Sequence, residues 1–244
     1  MKETVFKVVT NRALTDSVYE MKLRGDTSDI TAPGQFVNIK LDSLFLRRPI
    51  SVCNVVGEEL TLVYKVVGKG TRAMSMMGHG AKLDILTGLG NGYDLTPVKS
   101  SALLLGGGVG VPPLYLLARK LIAEGKKVTV VLGFNTKSEI FYENEFAALG
   151  CDVRVTTVDG SYGTKGFVTD AMEGEFDHFF TCGPEPMLKA VWSKTEIDGQ
   201  LSFEERMGCG FGACMGCSCQ TLTGNKRICK EGPVLRKGEI LWQK

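Results

Sequence analysis

Apolar and polar residues alternate through the first ~97 positions in the manner of β-strands. The runs at residues 5–9, 18–23, 35–41 and 60–67 are short, rich in Val, Leu and aromatic side chains, and bounded by turn residues. Asp26, Pro33-Gly34, Gly57 and Gly68 supply the punctuation. Evenly spaced short strands predict a small closed antiparallel barrel. One helix, around residues 71–77, interrupts them.

After Pro97 the period changes. Residues 102–105 form an unbroken apolar strand, followed by a glycine-rich turn and a helix over 111–124 closed by Gly125. Strands then alternate with helices: strands at 128–132, 153–157 and 176–182, helices at 143–149 and 184–194, and a short helical turn at 166–172. That alternation predicts a parallel sheet covered on both faces. The fold expected is therefore an antiparallel β-barrel over residues 1–97, a parallel-sheet α/β domain over 98–199, and a short cysteine-bearing segment over 200–244.

Composition narrows the picture only a little. The 244-residue chain is 43% hydrophobic and 23% charged, ordinary for a globular protein. A net charge of +2 gives no electrostatic support for nucleic-acid binding. No apolar run approaches the ~20 residues of a membrane span. Residues 1–7 carry charges and no long apolar stretch, so a reducing, cytoplasmic location is expected.

The densest chemistry lies in the last segment. Cys209, Cys214, Cys217 and Cys229 are spaced C-x4-C-x2-C-x11-C, within the run Gly208-Cys209-Gly210-Phe211-Gly212-Ala213-Cys214-Met215-Gly216-Cys217. C-x4-C-x2-C followed by a later cysteine is the plant-ferredoxin spacing for a 2Fe–2S cluster. The glycines suit a loop whose amides must approach sulfur. Zinc sites more often pair two C-x2-C units, and structural thiols do not crowd together this way, though both remain open on spacing alone. Cys219 is read as a bystander. The final gap is too short for a ferredoxin domain, so a cluster on a short appendage is expected.

Other motifs are weaker individually. Arg48-Pro49-Ile50-Ser51 lies in a barrel strand, where Arg48 and Ser51 could hold a phosphate and a ring edge or be merely structural. Gly68-Lys69-Gly70-Thr71 opens a helix, and could be an anion site or a plain turn. Gly106, Gly107, Gly108 and Gly110 lie between a buried strand and a helix, where open parallel sheets bind nucleotide phosphates. This is not G-x-G-x-x-G, because Val111 stands at the third glycine's place. No acidic residue stands at the end of the second strand, where Phe134 and Asn135 sit, and no Arg pair follows it; the latter favours NADH over NADPH. Cys182-Gly183-Pro184 closes another sheet strand and could touch a ligand.

Taken in order, Arg48-Pro49-x-Ser51, Gly70-Thr71, Gly-Gly-Gly-x-Gly-x-x-Pro and Cys182-Gly183-Pro184 resemble the ferredoxin–NADP reductase superfamily over roughly residues 1–197. With the cysteine segment added, the chain resembles the electron-transfer subunits of NAD-linked dihydroorotate dehydrogenases of type B. The resemblance implies FAD on the barrel, held by Arg48, Pro49, Ile50, Ser51, Gly70 and Thr71 with Val63, Tyr64 and Lys65 of the preceding strand. It implies NAD over the glycine turn beside Cys182, Gly183 and Pro184. It implies a partner, an FMN-containing catalytic subunit that oxidises dihydroorotate, in a heterotetramer of two of each chain. No catalytic acid or base is expected on this chain itself. Small subunits of NADH-dependent ferredoxin–NADP oxidoreductases and of sulfide-dehydrogenase-type complexes share the layout. A metal-bound interaction module that has lost its flavin is the reading from another class.

Overall fold

A computed structural model of the chain describes residues 1–42 and 44–242; the last two residues of the expected 200–244 segment lie outside it. The barrel comprises β1 (Lys2–Ala13), β2 (Val18–Arg24), β3 (Phe36–Ile39), β4 (Arg48–Val56), β5 (Glu59–Lys65) and β6 (Lys82–Leu89), with α1 (Lys69–Ser75) between the last two. The strands close in the order β1-β2-β5-β4-β3-β6, each pair antiparallel. Alternation explains the closure. Phe6, Met21, Leu23, Val37, Ile39, Leu60, Leu62 and Ile85 all turn inward and are essentially inaccessible to solvent. β5 stops at Lys65 rather than at residue 67. The Val66 amide turns to the Ser17 carbonyl, and the Val67 amide donates to the Thr71 hydroxyl.

The second sheet is built from β7 (Ser101–Gly107), β8 (Lys127–Phe134), β9 (Asp152–Thr157), β10 (Thr164–Lys165), β11 (His178–Cys182) and β12 (Gly199–Ser202). Its helices are α2 (Pro113–Ala123), α3 (Glu143–Ala148) and α4 (Glu185–Lys194). β7 is apolar on both faces for a reason. Ala102 and Leu104 join the core under α2, while Leu103 and Leu105 join a second core on the opposite face with Phe179, Leu188 and Val191. On α2, Leu114, Leu117, Ala118 and Leu121 recur at helical spacing and pack on the sheet, whereas Leu116 reaches the barrel core. Arg119 donates to the Val55 carbonyl of β4 at 2.7 Å, fastening the same helix to the barrel. The expected helical turn at 166–172 is a 3₁₀ turn over Val168–Ala171.

The cysteine segment carries β13 (Ser218–Thr221) and β14 (Gly224–Arg227), a small hairpin, and β15 (Val234–Arg236). β15 pairs antiparallel with β12 at the edge of the second sheet, whose order is β10-β9-β8-β7-β11-β12-β15. The sheet thus runs past residue 199 and takes in chain from beyond the cysteines. Asn91, in the link between barrel and second sheet, donates to the Val234 and Glu231 carbonyls and accepts from the Val234 amide. The segment is fastened at both ends rather than hanging free. No described helix is long and apolar enough to cross a membrane.

Candidate functional site

The expected site residues fall in three regions. The first is the start of β4. Arg48, Pro49, Ile50 and Ser51 are all half-buried. The Arg48 side chain lies over the N-terminal turn of α1, so close that a Cβ on Gly70 would overlap its Nε. Thr71 is spent internally, its hydroxyl accepting from the Val67 and Gly68 amides at 2.9 and 3.3 Å. Arg48 and the Gly70 backbone thus frame one surface, with Ser51 farther along the strand, and Thr71 shapes the turn beside it. Of the three β5 residues, Val63 and Tyr64 are buried, and the Tyr64 hydroxyl donates to Asn11 Oδ1 at 3.0 Å. Lys65 is exposed and points toward the second region.

That region is a cavity of about 540 Å³ at the C-terminal ends of β7, β8, β9 and β11, where open parallel sheets receive ligands. Gly107, Gly108 and Gly110 form one wall and Gly183 and Pro184 another. Gly106 sits behind them, packed on Val111 and Leu114. Gly110 is demanded by packing: a Cβ there would overlap the carbonyl of Cys182. Cys182 itself is 2% exposed. Burial, with the nearby Glu204 charge, pushes its thiol up to about 12, against the pull of the Ser202 hydroxyl. It therefore stays protonated, and its peptide rather than its sulfur shapes the wall.

The structure adds a residue the sequence reading passed over. Glu139 lies in a 3₁₀ turn just after β8 and folds back to accept from the Asn135 amide at 3.2 Å and the Asn135 side chain at 2.9 Å. Its carboxylate borders the cavity at the end of the second strand, where an acidic residue had seemed absent. Glu204 also borders the cavity; solvent reaches it, yet the surrounding protein crowds it enough for desolvation to raise its carboxyl above the ordinary range.

The third region is the cysteine loop. Cys217 and Cys229 are 2% exposed and pack with Ile228 and Leu235 against Phe36, Leu86 and Leu89 of the barrel. Cys214 is exposed and Cys209 half-buried. The thiols fall into two touching pairs, Cys209 with Cys214 and Cys217 with Cys229. Amides point at the sulfurs: Ala213 and Cys214 donate to Cys209 Sγ at 3.2 and 3.4 Å, and Cys229 to Cys217 Sγ at 3.4 Å. Burial works against the Cys209 thiolate, but those donors, the Phe211 amide and the Cys214 thiol bring its pKa down to about 6. Arg227 staples the loop, donating to the Gly212 carbonyl at 2.7 Å and forking onto the Glu231 carboxylate. Among the described residues, no three or more His, Cys, Asp or Glu side chains gather as a single metal ion would require. Four thiols close enough to act on one another, with backbone amides directed at Cys209 and Cys217, suit an iron–sulfur cluster. Cys219, half-buried on β13, borders a separate cavity of about 330 Å³.

Comparison with known proteins decides the family. Residues 204–241 match the model of the iron–sulfur cluster binding domain of dihydroorotate dehydrogenase B, and residues 104–193 that of the oxidoreductase NAD-binding domain. The chain is 46% identical to the dihydroorotate dehydrogenase B (NAD(+)) electron transfer subunit of Bacillus pumilus (strain SAFR-032), over 98% of each chain. The chain belongs to that family. The corresponding subunit of Lysinibacillus sphaericus (strain C3-41) is 44% identical, over 98% of this chain and 99% of its own. Among solved structures, a chain of an NADH-dependent reduced ferredoxin–NADP oxidoreductase described for flavin-based electron bifurcation superposes with TM-score 0.89 at 32% identity. It covers 97% of this chain and 90% of its own. A ferredoxin–NADP+ reductase from Neisseria gonorrhoeae, at 16% identity and TM-score 0.69 over 80% of this chain and 90% of its own, shares the fold. Members of the family are electron transfer subunits, and this chain is an oxidoreductase subunit of that kind, with an iron–sulfur segment and an NAD-binding domain.

Proposed function

We propose that this chain carries electrons between an FMN-containing, dihydroorotate-oxidising partner subunit and NAD+. FAD sits on the barrel (residues 1–97), NAD(H) on the second domain (98–199), and a 2Fe–2S cluster on the C-terminal segment (200–244). The working assembly is a cytoplasmic heterotetramer with two copies of each subunit. The observation that carries this reading is the cysteine loop seated on the barrel, with Cys217 and Cys229 packed on Phe36, Leu86 and Leu89 and the Cys209 carbonyl bonded to Asn38, on the strand that pairs with the one bearing Arg48 and Ser51.

A bound flavin supplies the exchange between single electrons and the hydride that NAD+ accepts. The chain's own residues bind and orient. Arg48 and the Gly70 backbone offer a positive, amide-lined surface for the flavin's phosphates, with Pro49, Ile50 and Ser51 along the strand beside it. Gly106, Gly107, Gly108 and Gly110 let the dinucleotide approach the sheet, with Gly183 and Pro184 opposite. Glu139 supports NAD over NADP, since a carboxylate accepts from ribose hydroxyls and repels a 2′-phosphate. Cys209, Cys214, Cys217 and Cys229 are the cluster ligands. The reading asks no side chain to act as an acid or base: the Cys182 thiol stays protonated, and burial lowers the pKa of His178, which shares a hydrogen bond with Gln200 inside the sheet.

The test is purification and assay. The reading expects a coloured protein with about one FAD and about two irons per chain, NADH oxidation by an artificial acceptor, and a co-purifying subunit that oxidises dihydroorotate. Cys214→Ser should abolish the cluster and leave FAD in place. Colourless protein with stoichiometric zinc sinks the cluster, and a ferredoxin–NADP oxidoreductase partner would reassign the complex.

A further inference from the structure

β3 and β4 run side by side in strict register, Phe36 opposite Ser51, Val37 opposite Ile50, and Asn38 opposite Pro49. Val37 and Ile39 turn into the barrel core, so Phe36 and Asn38 face outward. Residues directly opposite in an antiparallel pair share a face. Pro49 and Ser51, from the proposed flavin motif, therefore stand on the same outer face as Phe36 and Asn38, one strand spacing of about 4.8 Å away.

The cysteine loop sits on that face, and besides the packing of Cys217 and Cys229 one polar side chain of the barrel reaches its backbone. Asn38 is 1% exposed, and its Nδ2 donates to the Cys209 carbonyl at 3.2 Å. Gly210 presses against the same amide, so that a Cβ at 210 would overlap Asn38 Nδ2. The other amide atom, Oδ1, is buried without a hydrogen-bond partner. A buried unpaired acceptor is a cost, and leucine of similar volume would not carry it. Burial alone thus gives no reason for an amide here, whereas the bond to Cys209 does.

We infer that Asn38 is the positioning residue that seats the cysteine loop on the β3–β4 face and so fixes the separation between cluster and flavin. This rests on the cofactor assignment proposed above. The Asn38 side chain bonds the Cys209 backbone, and Asn38 does not line the dinucleotide cavity, so its effect should fall on one step, the passage of electrons between flavin and cluster.

The test mixes NADH rapidly with holoprotein and follows flavin bleaching and cluster reduction separately. In Asn38→Leu, flavin and iron contents and the bleaching rate should match the parent, while cluster reduction slows by roughly tenfold, equivalent to about 1.4 kcal/mol. Asn38→Asp keeps size and polarity, removes the donor, and should slow the same step if the leucine variant does not fold. Cluster reduction at the parent rate in either folded variant with both cofactors retained overturns the inference. Equal slowing of both phases overturns it too, since that marks general damage. Parent protein lacking flavin or iron would instead sink the cofactor assignment.

Discussion

In the turn after β7, Gly106, Gly107 and Gly110 chiefly yield space; in the cysteine loop, Gly210 and Gly212 yield curvature as well as space. Gly110 has an ordinary backbone, and its missing Cβ is what lets the turn lie on the Cys182–Gly183 peptide. In the cysteine loop Gly210 and Gly212 take φ of 78° and 92°, a region L side chains rarely enter. The first turn is held by a buried sheet on either side. The second has little regular structure of its own; Cys217 and Cys229 anchor one side of it on the barrel, while its exposed side is held by single contacts such as those of Asn38 and Arg227. Similar composition thus serves a rigid wall in one place and a fastened wrap in the other, and the two should fail differently.

The largest effect is expected at the wall. Gly110→Ala puts a methyl into a main-chain carbonyl, with no side chain free to rotate away. The cost should reach about 3 kcal/mol, lowering the melting temperature by roughly 10 °C and abolishing NADH binding. A calorimetric scan and an NADH titration read both; an unchanged midpoint would show that the turn can lift off β11. Arg227→Gln tests the wrap. It removes the bond to the Gly212 carbonyl and the fork onto Glu231, a local loss of about 1–2 kcal/mol. Iron per flavin should fall after gel filtration while the main unfolding transition moves little. Should the whole protein lose stability instead, the loop is more than an attachment. The smallest change is Glu139→Lys, which leaves the glycine wall intact. NADPH binding, measured by fluorescence titration, should strengthen relative to NADH by about tenfold, one charge reversal at a half-buried site being worth ~1.4 kcal/mol. An unmoved ratio would place the adenosine ribose away from β8.

Much of this was legible in the sequence because it rests on period and spacing. Two-residue alternation in β1, β2 and β5 announces the barrel, and the doubly apolar run of β7 announces a sheet covered on both faces. The cysteine spacing survives into the structure as two thiol pairs. What was hidden depends on partners far along the chain. β13 and β14 are short and mostly polar, with no periodic signal, and β15 is three residues long and finds its mate at β12. Asn38 reads as an ordinary polar position in a strand until Cys209 arrives beside it. Cys182, legible as a candidate contact, has its thiol turned into the core because its carbonyl side receives Gly110. Glu139 is hidden from a sequence reading because an acid five residues past the end of a strand must fold back to matter.

The pairing of β12 with β15 has a topological consequence. Ser202 and Val234 face each other across the ladder, and the Phe203 amide continues it to the Pro233 carbonyl. Residues 203–233 are therefore the arc of one oversized hairpin, leaving the sheet edge and returning to the point of departure. Loop-closure entropy rises only slowly with arc length, so a long excursion costs the parent sheet little more than a short turn. The redox segment is a module inserted at a closed edge, exchangeable in principle for a short turn without redrawing the strand order of the domain that carries it.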